Sequence, residues 1–336
     1  MSLHFFETTP DEQRYLTERL PGENLCFHPE PLTRPLQLQG IAEDVEILSP
    51  FVHSHLGADV IDALPHLKLI ATRSTGFDHI NVPQAESRGI RVCNVPTYGE
   101  NTVAEHTFAL ILALSRNLHK AHVRTSAGNF SLIGLQGFDL KGKTLGVVGT
   151  GHIGLHVVRI AKGFDMNVLA HDPVPSPNAA ELLGYTYVPL EELLNRSDIV
   201  TLHAPLTAAT NHLIGEHNIG QFKPGALLIN ASRGGLVDTQ ALLNALDTHI
   251  LRGAGLDVIE GEEVFSEEKQ LCQNPNATRE SLKQALRNLS LLRRPDLVIT
   301  PHIAFDSREA VERILDTTIA NIKAFRAGAA QNEACV

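Results

Sequence analysis

Short apolar runs recur along this 336-residue chain, and stretches with apolar positions at helical spacing separate them. In the N-terminal third the runs are 3–7, 45–49, 67–73 and 90–95, and segments 11–20, 57–64 and 83–89 read as helices. Such alternation predicts a parallel sheet with helices on both faces. Residues 99–123 hold no internal Gly or Pro and predict one long helix. Its broad apolar face (Val103, Thr107, Leu110, Ile111, Leu114) suits packing between layers or subunits. After a Gly-punctuated connector a second alternating series begins, with strands expected at 144–149, 166–172, 186–188, 198–204, 226–230, 253–258 and 297–300. This is the pattern of a complete doubly wound domain.

Two segments stand apart. Residues 306–328 are strongly helical and can return to the first domain, which would make it discontinuous. Residues 263–295 fit neither series and read as an insertion, with a helix that places Leu282, Leu286, Leu289 and Leu292 along one stripe. The predicted fold is α/β, with two doubly wound parallel-sheet domains: 1–99 plus 304–336, flavodoxin-like, and 100–303, a Rossmann domain. A chain of this length exceeds one ordinary core, which agrees with two domains.

Composition changes this picture only by exclusion. The formal net charge is −10 and no basic run occurs, so neither a nucleic-acid nor a membrane partner is expected. The longest apolar run, 108–114, is far short of a membrane span. Cys26, Cys93, Cys272 and Cys335 form no C-x-x-C pair, so neither a metal site nor a disulfide framework is expected. The first residues lack the features of a signal peptide, and a reduced cytoplasm is the expected location. There the "NAT" sequon at Asn276 carries no meaning.

Candidate chemistry begins with "TLGVVGTGHIG", where Gly149, Gly151 and Gly154 have G-x-G-x-x-G spacing between a strand and a helix. Gly149 permits a tight turn, Gly151 lets backbone approach a pyrophosphate, and Gly154 lets helix and strand pack closely. The helix start supplies unpaired N–H groups and a positive dipole end. The following strand ends in Asp172, whose carboxylate suits the adenosine ribose hydroxyls and would repel a 2′-phosphate. Residues 173–180 hold no Arg or Lys to offset that repulsion, so the expected cofactor is NAD.

Ligands of doubly wound sheets sit beyond the carboxyl ends of strands. Those ends carry His203, Asn230 to Arg233, Asp257 and, in "DLVITPHIAF", His302. A guanidinium at Arg233 can hold a carboxylate by two points and polarise the adjacent carbonyl. One of Glu260, Glu262 and Glu263 can face His302, raise its pKa and orient its ring. Glu260 and Glu263 read as solvated loop acids. Asp257 is a candidate for holding the nicotinamide amide. A dinucleotide, an anion-binding Arg and a His–Glu pair are what reduction of a 2-oxo acid requires, with imidazolium protonating the developing alkoxide.

The chain resembles the D-isomer-specific 2-hydroxyacid dehydrogenase family, and the resemblance spans nearly its whole length. It rests on "STGFDHIN", "VPTYGENTVAEH", "LGVVGTGHIG", "AHDP", "LHAPLTAATNHLI", "INASRGGLVD", "GAGLDVIEGEE" and "TPHIAF", in that order. The resemblance implies a discontinuous substrate domain and a homodimer formed through the NAD-binding domains. It implies Arg233, Glu262 and His302 as catalytic residues. Cofactor contacts fall on His152, Ile153, Asp172, Ala204, Pro205, Thr210, Ala231, Ser232 and Asp257, and the Thr75 and Gly76 backbone falls on the substrate carboxylate. Within the family the chain is most like the D-lactate dehydrogenase branch, where Tyr98 and Phe305 correspond to aromatic residues over the substrate. Asp306 and Ser307 depart from that branch, which commonly has another aromatic and a threonine there. Activity on another small 2-oxo acid (glyoxylate, hydroxypyruvate, 2-oxobutyrate) and a non-catalytic NAD(H)-sensing role are the alternatives.

Overall fold

The computed structural model describes residues 2–261 and 278–334. The chain forms two compact units, Met1–Tyr98 with Ser307–Val336, and Gly99–Asp306.

In the first unit the strands β1 (Ser2–Phe6), β2 (Leu25–His28), β3 (Val45–Ser49), β4 (Leu69–Ala71) and β5 (Arg91–Cys93) pair in parallel in the order β2-β1-β3-β4-β5. Helices α1 (Pro10–Arg19), α2 (Ala58–Asp62) and α3 (Val82–Ser87) connect them. Helix α1 starts where it does because Thr9 and Glu12 form a reciprocal capping box and Pro10 has its φ already set for the first turn. The C-terminal helix, Arg308–Arg326, is capped by Ser307, whose hydroxyl accepts from the Ala310 N–H at 3.2 Å. It buries Leu315, Ile319 and Ile322 against Leu3, Phe5, Leu16 and Leu69. Each such side chain contributes roughly 1.5–3 kcal/mol on burial, so this helix is part of the core. Arg73, buried just past β4, donates to the carbonyls of Phe6, Glu7 and Ser49 and ties three strand ends together.

In the second unit, α4 (Glu100–Ser115) and α5 (Leu118–Ser126) precede an alternating series. The series comprises β6 (Thr144–Val148), α6 (His152–Gly163), β7 (Asn167–His171), α7 (Pro177–Leu183), β8 (Thr186–Tyr187), α8 (Leu190–Arg196), β9 (Ile199–Leu202), β10 (Ala226–Asn230), α9 (Thr239–Asp247), β11 (Leu251–Leu256), α10 (Arg279–Leu292) and β12 (Leu297–Ile299). The sheet runs β12-β11-β10-β9-β6-β7-β8, all parallel. Chain order reverses between β6 and β9, the place where a doubly wound sheet opens a crevice. Among the described residues no helix is long and apolar enough to cross a membrane.

Four local expectations are corrected. Strand β2 is absent from the sequence reading: it is a short, half-buried edge strand of four residues that pairs only with β1. The long helix is two helices, broken at Asn117, which adopts a left-handed conformation (φ 51) that Asn tolerates better than most residues. The connector closes over the end of α4, with the Phe138 N–H donating to the Ser115 carbonyl and Asn117 donating to the Gln136 carbonyl. The segment 263–295 is not wholly an insertion: residues 262–277 lie outside the described residues, and Arg279–Leu292 forms α10, which precedes β12 within the second series. Its leucine stripe is largely exposed, with Leu289 half-buried. Leu282, Leu286 and Leu292 are exposed, whereas Leu291 and Asn288 are buried. Asn288 and Gln284 both donate to the Glu260 carbonyl, and those bonds set which face docks. Glu260 itself is no solvated loop acid. One carboxylate oxygen takes His212 Nε2 at 2.6 Å, and the other takes the Thr239 N–H and hydroxyl at 3.1 and 2.7 Å.

Candidate active site

Five strands of the second unit bring polar groups to one edge of the sheet. Their registers align Val148 with Leu202, Leu202 with Asn230, Asn230 with Leu256, and Leu256 with Ile299. The residues just beyond those positions are Gly149, His203, Ala231 to Arg233, Asp257 and His302.

Gly149 adopts φ +94, and a Cβ there would meet the His203 carbonyl at 2.6 Å. A side chain at Gly154 would meet the Gly149 carbonyl at 2.1 Å, so helix and turn are in direct backbone contact. Nothing lies within 4 Å of the Cβ direction of Gly151, which sits at the start of α6. Three glycines, two forbidding a side chain and one leaving open space, make the cradle a pyrophosphate needs, and the first N–H groups of α6 have no partner within their own helix. His152 is exposed and Ile153 half-buried at that helix start.

Asp172, just past the end of β7, is held by the protein's own groups. Its Oδ2 accepts from the Thr150 N–H (2.7 Å) and hydroxyl (3.0 Å), and its Oδ1 from the Val174 N–H (2.9 Å). Burial alone would raise its pKa; those bonds, with His171 nearby, outweigh burial and hold the carboxyl below its usual value. The loop after β9 carries Ala204, Pro205 and Thr210, and the Thr210 hydroxyl donates to the Pro205 carbonyl at 2.6 Å. The Ser232 hydroxyl donates to the Ala204 carbonyl at 2.7 Å, joining that loop to the one carrying Ala231 and Arg233.

Arg233 leaves β10 in extended conformation (φ −140), one residue before a 3₁₀ turn at Gly234–Leu236. Asn230 fixes the turn from both sides, accepting from the Ser232 N–H at 3.1 Å and donating to the Arg233 carbonyl at 2.9 Å. Gly234 is required by close approach, because a Cβ there would meet the Ile259 carbonyl at 2.1 Å. Half-buried, Arg233 also donates from Nη1 to the Ser232 carbonyl at 2.9 Å.

His302 is half-buried and has a left-handed backbone (φ 54), uncommon outside glycine. Asp257 holds it there. The Asp257 carbonyl accepts the His302 N–H at 2.8 Å, and its carboxylate accepts the N–H groups of Ile303 (3.0 Å) and Ala304 (2.8 Å) and the Thr300 hydroxyl. His106 Nε2, on α4, lies 3.1 Å from the Thr300 hydroxyl and 3.4 Å from Asp257 Oδ1. Thr300 spends its only hydrogen on Asp257, so it accepts from His106, which carries its proton on Nε2. Burial raises the Asp257 pKa, but the bonds from His106, Thr300, Ala304 and Ile303 prevail and lower it. Phe305 follows on the same turn, half-buried.

His203, also at a strand end, is different. Burial pushes its pKa down to about 4, and Nε2 is 2.9 Å from the Thr201 hydroxyl. It stays neutral near pH 7 and is a poor proton donor. Of the other sequence candidates, Thr75, Gly76 and Tyr98 belong to the first unit and Glu262 lies outside the described residues. The Thr75 hydroxyl donates to the Val95 carbonyl at 2.7 Å, and the N–H groups of Thr75 and Gly76 donate to no described residue. Sequence reasoning missed His106 and Thr300. The available signal for His106 was a histidine three residues after Val103, on the buried side of α4.

Comparison with known proteins gives the same picture. Residues 108–304 match the family model described as D-isomer specific 2-hydroxyacid dehydrogenase, NAD binding domain. The chain is 38% identical to D-lactate dehydrogenase of Escherichia coli over 98% of each chain. It is 36% identical to glyoxylate reductase of Thermococcus litoralis, over 95% of this chain and 92% of that one. The structure of D-lactate dehydrogenase from Aquifex aeolicus complexed with NAD and lactic acid superposes with a TM-score of 0.86 at 36% identity, covering 97% of this chain and 96% of that one. The chain belongs to the D-isomer-specific 2-hydroxyacid dehydrogenase family and is an NAD-dependent oxidoreductase acting on the CH–OH group of 2-hydroxy acids.

Proposed function

We propose that the chain is a D-lactate dehydrogenase, which reduces pyruvate to D-lactate with His302 as general acid/base. The observation that carries this reading is His302 at the mouth of β12, fixed in a left-handed turn by Asp257, with Arg233 leaving β10 two strands away along the same edge. Arg233 takes the carboxylate of the 2-oxo acid by two points and polarises the neighbouring carbonyl. Bound reduced nicotinamide supplies the hydride. The His302 imidazolium gives its proton to the carbonyl oxygen, which contributes roughly 10²–10⁴-fold, and in the oxidative direction the neutral ring takes the hydroxyl proton. Glu262 is assigned to support the imidazolium charge. The Thr75 and Gly76 N–H groups are assigned to the substrate carboxylate, and Tyr98 and Phe305 to its methyl end.

Likeness to D-lactate dehydrogenases over nearly the whole chain supports pyruvate as the substrate, while the glyoxylate reductase relative keeps a smaller 2-oxo acid in the comparison. The deciding experiment is the rate of NADH oxidation across 2-oxo acids from glyoxylate to phenylpyruvate. A kcat/KM maximum at pyruvate, with D-lactate as product, is expected; a maximum elsewhere moves the substrate and leaves the proton chemistry in place. We also propose a homodimer formed through the second unit. Leu118, Val123, Phe130, Leu132 and Ile133 are each more than half exposed there, within one short stretch of chain.

A further inference from the structure

Asp172 is the end of a chain of hydroxyl groups that runs from Tyr185 through Tyr187 and Thr150. Thr150 Oγ1 lies 2.8 Å from the Tyr187 hydroxyl, which lies 2.9 Å from the Tyr185 hydroxyl and accepts from the Ser176 N–H at 3.1 Å. The direction of every bond follows from counting hydrogens. The ionised carboxylate of Asp172 can only accept, so the Thr150 hydroxyl donates to it. Thr150 has one hydroxyl hydrogen, now used, so toward Tyr187 it accepts. Tyr187 likewise has one, given to Thr150, so it accepts from Tyr185. The sequence Tyr185 O–H, Tyr187 O–H, Thr150 O–H, Asp172 is therefore ordered, and each dipole turns its positive end toward the carboxylate.

We propose that Tyr187, acting through Thr150, is a specificity-determining positioning residue that fixes Asp172 toward the ribose of NADH and so sets the preference for NADH over NADPH. The groups involved come from separate elements: β8 supplies Tyr187, the loop after β6 supplies Thr150, and β7 leads into Asp172. The Tyr187 hydroxyl also pins the Ser176 backbone, at the end of the short loop after Asp172. One phenol thus steadies both the acid that accepts the ribose hydroxyls and the chain beside it. Tyr185 is buried, and burial first, then the Tyr187 hydroxyl and the Asp172 charge, raise its pKa, so it remains a donor at neutral pH. Aligned donors of this kind polarise one another in a low dielectric.

The test is the dissociation constant of NADH and of NADPH, read by nucleotide fluorescence without any 2-oxo acid, which separates it from the substrate assignment. Tyr187→Phe keeps the ring and removes the hydroxyl. It should weaken NADH about 3- to 10-fold, the worth of one hydrogen bond, and leave NADPH unchanged. Thr150→Val should weaken NADH at least as much, and Thr150→Ser, which keeps the hydroxyl, should restore wild-type affinity. In an Asp172→Asn background Tyr187→Phe should have no further effect, because the charge it supports is gone. Equal weakening of NADH and NADPH by Tyr187→Phe, or the same loss in the Asp172→Asn background, would assign the phenol to packing alone and overturn the proposal.

Discussion

Asp257→Asn separates two roles for this residue. The sequence reading gives its carboxylate to the nicotinamide amide; the structure has it accepting three bonds that fix the turn carrying His302. Asparagine has the same shape but one acceptor oxygen. Placed to satisfy Thr300 and Ile303, which share Oδ1, its amide nitrogen then faces the Ala304 N–H, donor against donor. Leaving the buried Ala304 N–H unpaired costs about 1–3 kcal/mol, and reducing the other two bonds from a charged to a neutral acceptor costs about 1 kcal/mol each. About 3–5 kcal/mol of support is lost from a turn whose left-handed histidine is itself unfavourable by roughly 1–2 kcal/mol.

Were half of that loss to appear as opening of the turn, the competent population would fall by roughly 10- to 100-fold, since each factor of ten is about 1.4 kcal/mol. The assay is kcat with a saturating 2-oxo acid, beside the NADH dissociation constant and the melting temperature. A kcat lower by about 10- to 100-fold, NADH affinity within about twofold and a Tm lower by several degrees are expected. Weakened NADH binding with kcat intact would show the carboxylate to be a cofactor ligand. No change in any of the three would show that the turn stands without it, and either result refutes the reasoning.

Arg233→Lys should raise KM for the 2-oxo acid and lower kcat, with roughly a 10- to 100-fold loss in kcat/KM, because one ammonium cannot reproduce the two-point contact of the fork; steady-state kinetics checks it, and unchanged KM would remove Arg233 from the substrate carboxylate. His4 is buried beside His28 and Ser2, and burial, then His28, push its pKa down from 6.5 to about 4 against the opposing pull of Asp44. The folded protein refuses a proton that the unfolded chain accepts, so the contribution of His4 is complete above pH 6.5 and is lost as pH falls toward 4; melting temperatures across that window should fall more steeply for the wild type than for His4→Gln. Phe130→Ser combined with Ile133→Ser should convert the proposed dimer to a monomer in light scattering, and a dimer that persists would place the interface elsewhere.

How much of this was legible in the sequence depends on the range of the interaction concerned. The βαβ series, the glycine turn at Gly149 and the strand-end positions of Arg233 and His302 follow from local periodicity and from a rule of topology, and all are readable without partners. The break at Asn117 is not. It depends on a connector about twenty residues further on whose Phe138 N–H takes the Ser115 carbonyl. Helix α10 shows the same limit: periodicity announced a leucine stripe, but Asn288 and Gln284, bonded to the Glu260 carbonyl, decide which face docks. Hydrophobic spacing says that a helix has faces; a polar contact can choose between them.

The supports of the candidate site share a different mark. His106 lies on the buried side of α4, Asn230 ends the all-buried strand β10, Thr300 follows the last residue of β12, and Tyr187 ends the edge strand β8. Asn230 is buried and the other three are half-buried beside the apolar core, where a polar group shielded from water needs a partner. Partners so far apart in sequence as His106 and Thr300 cannot be named from spacing, but the need for one can. The groups assigned to the chemistry sit where the sheet topology delivers them, and those that hold them in place are polar groups beside the apolar core. A sequence reading that flags such groups along with the motifs therefore finds candidates for both layers of the site.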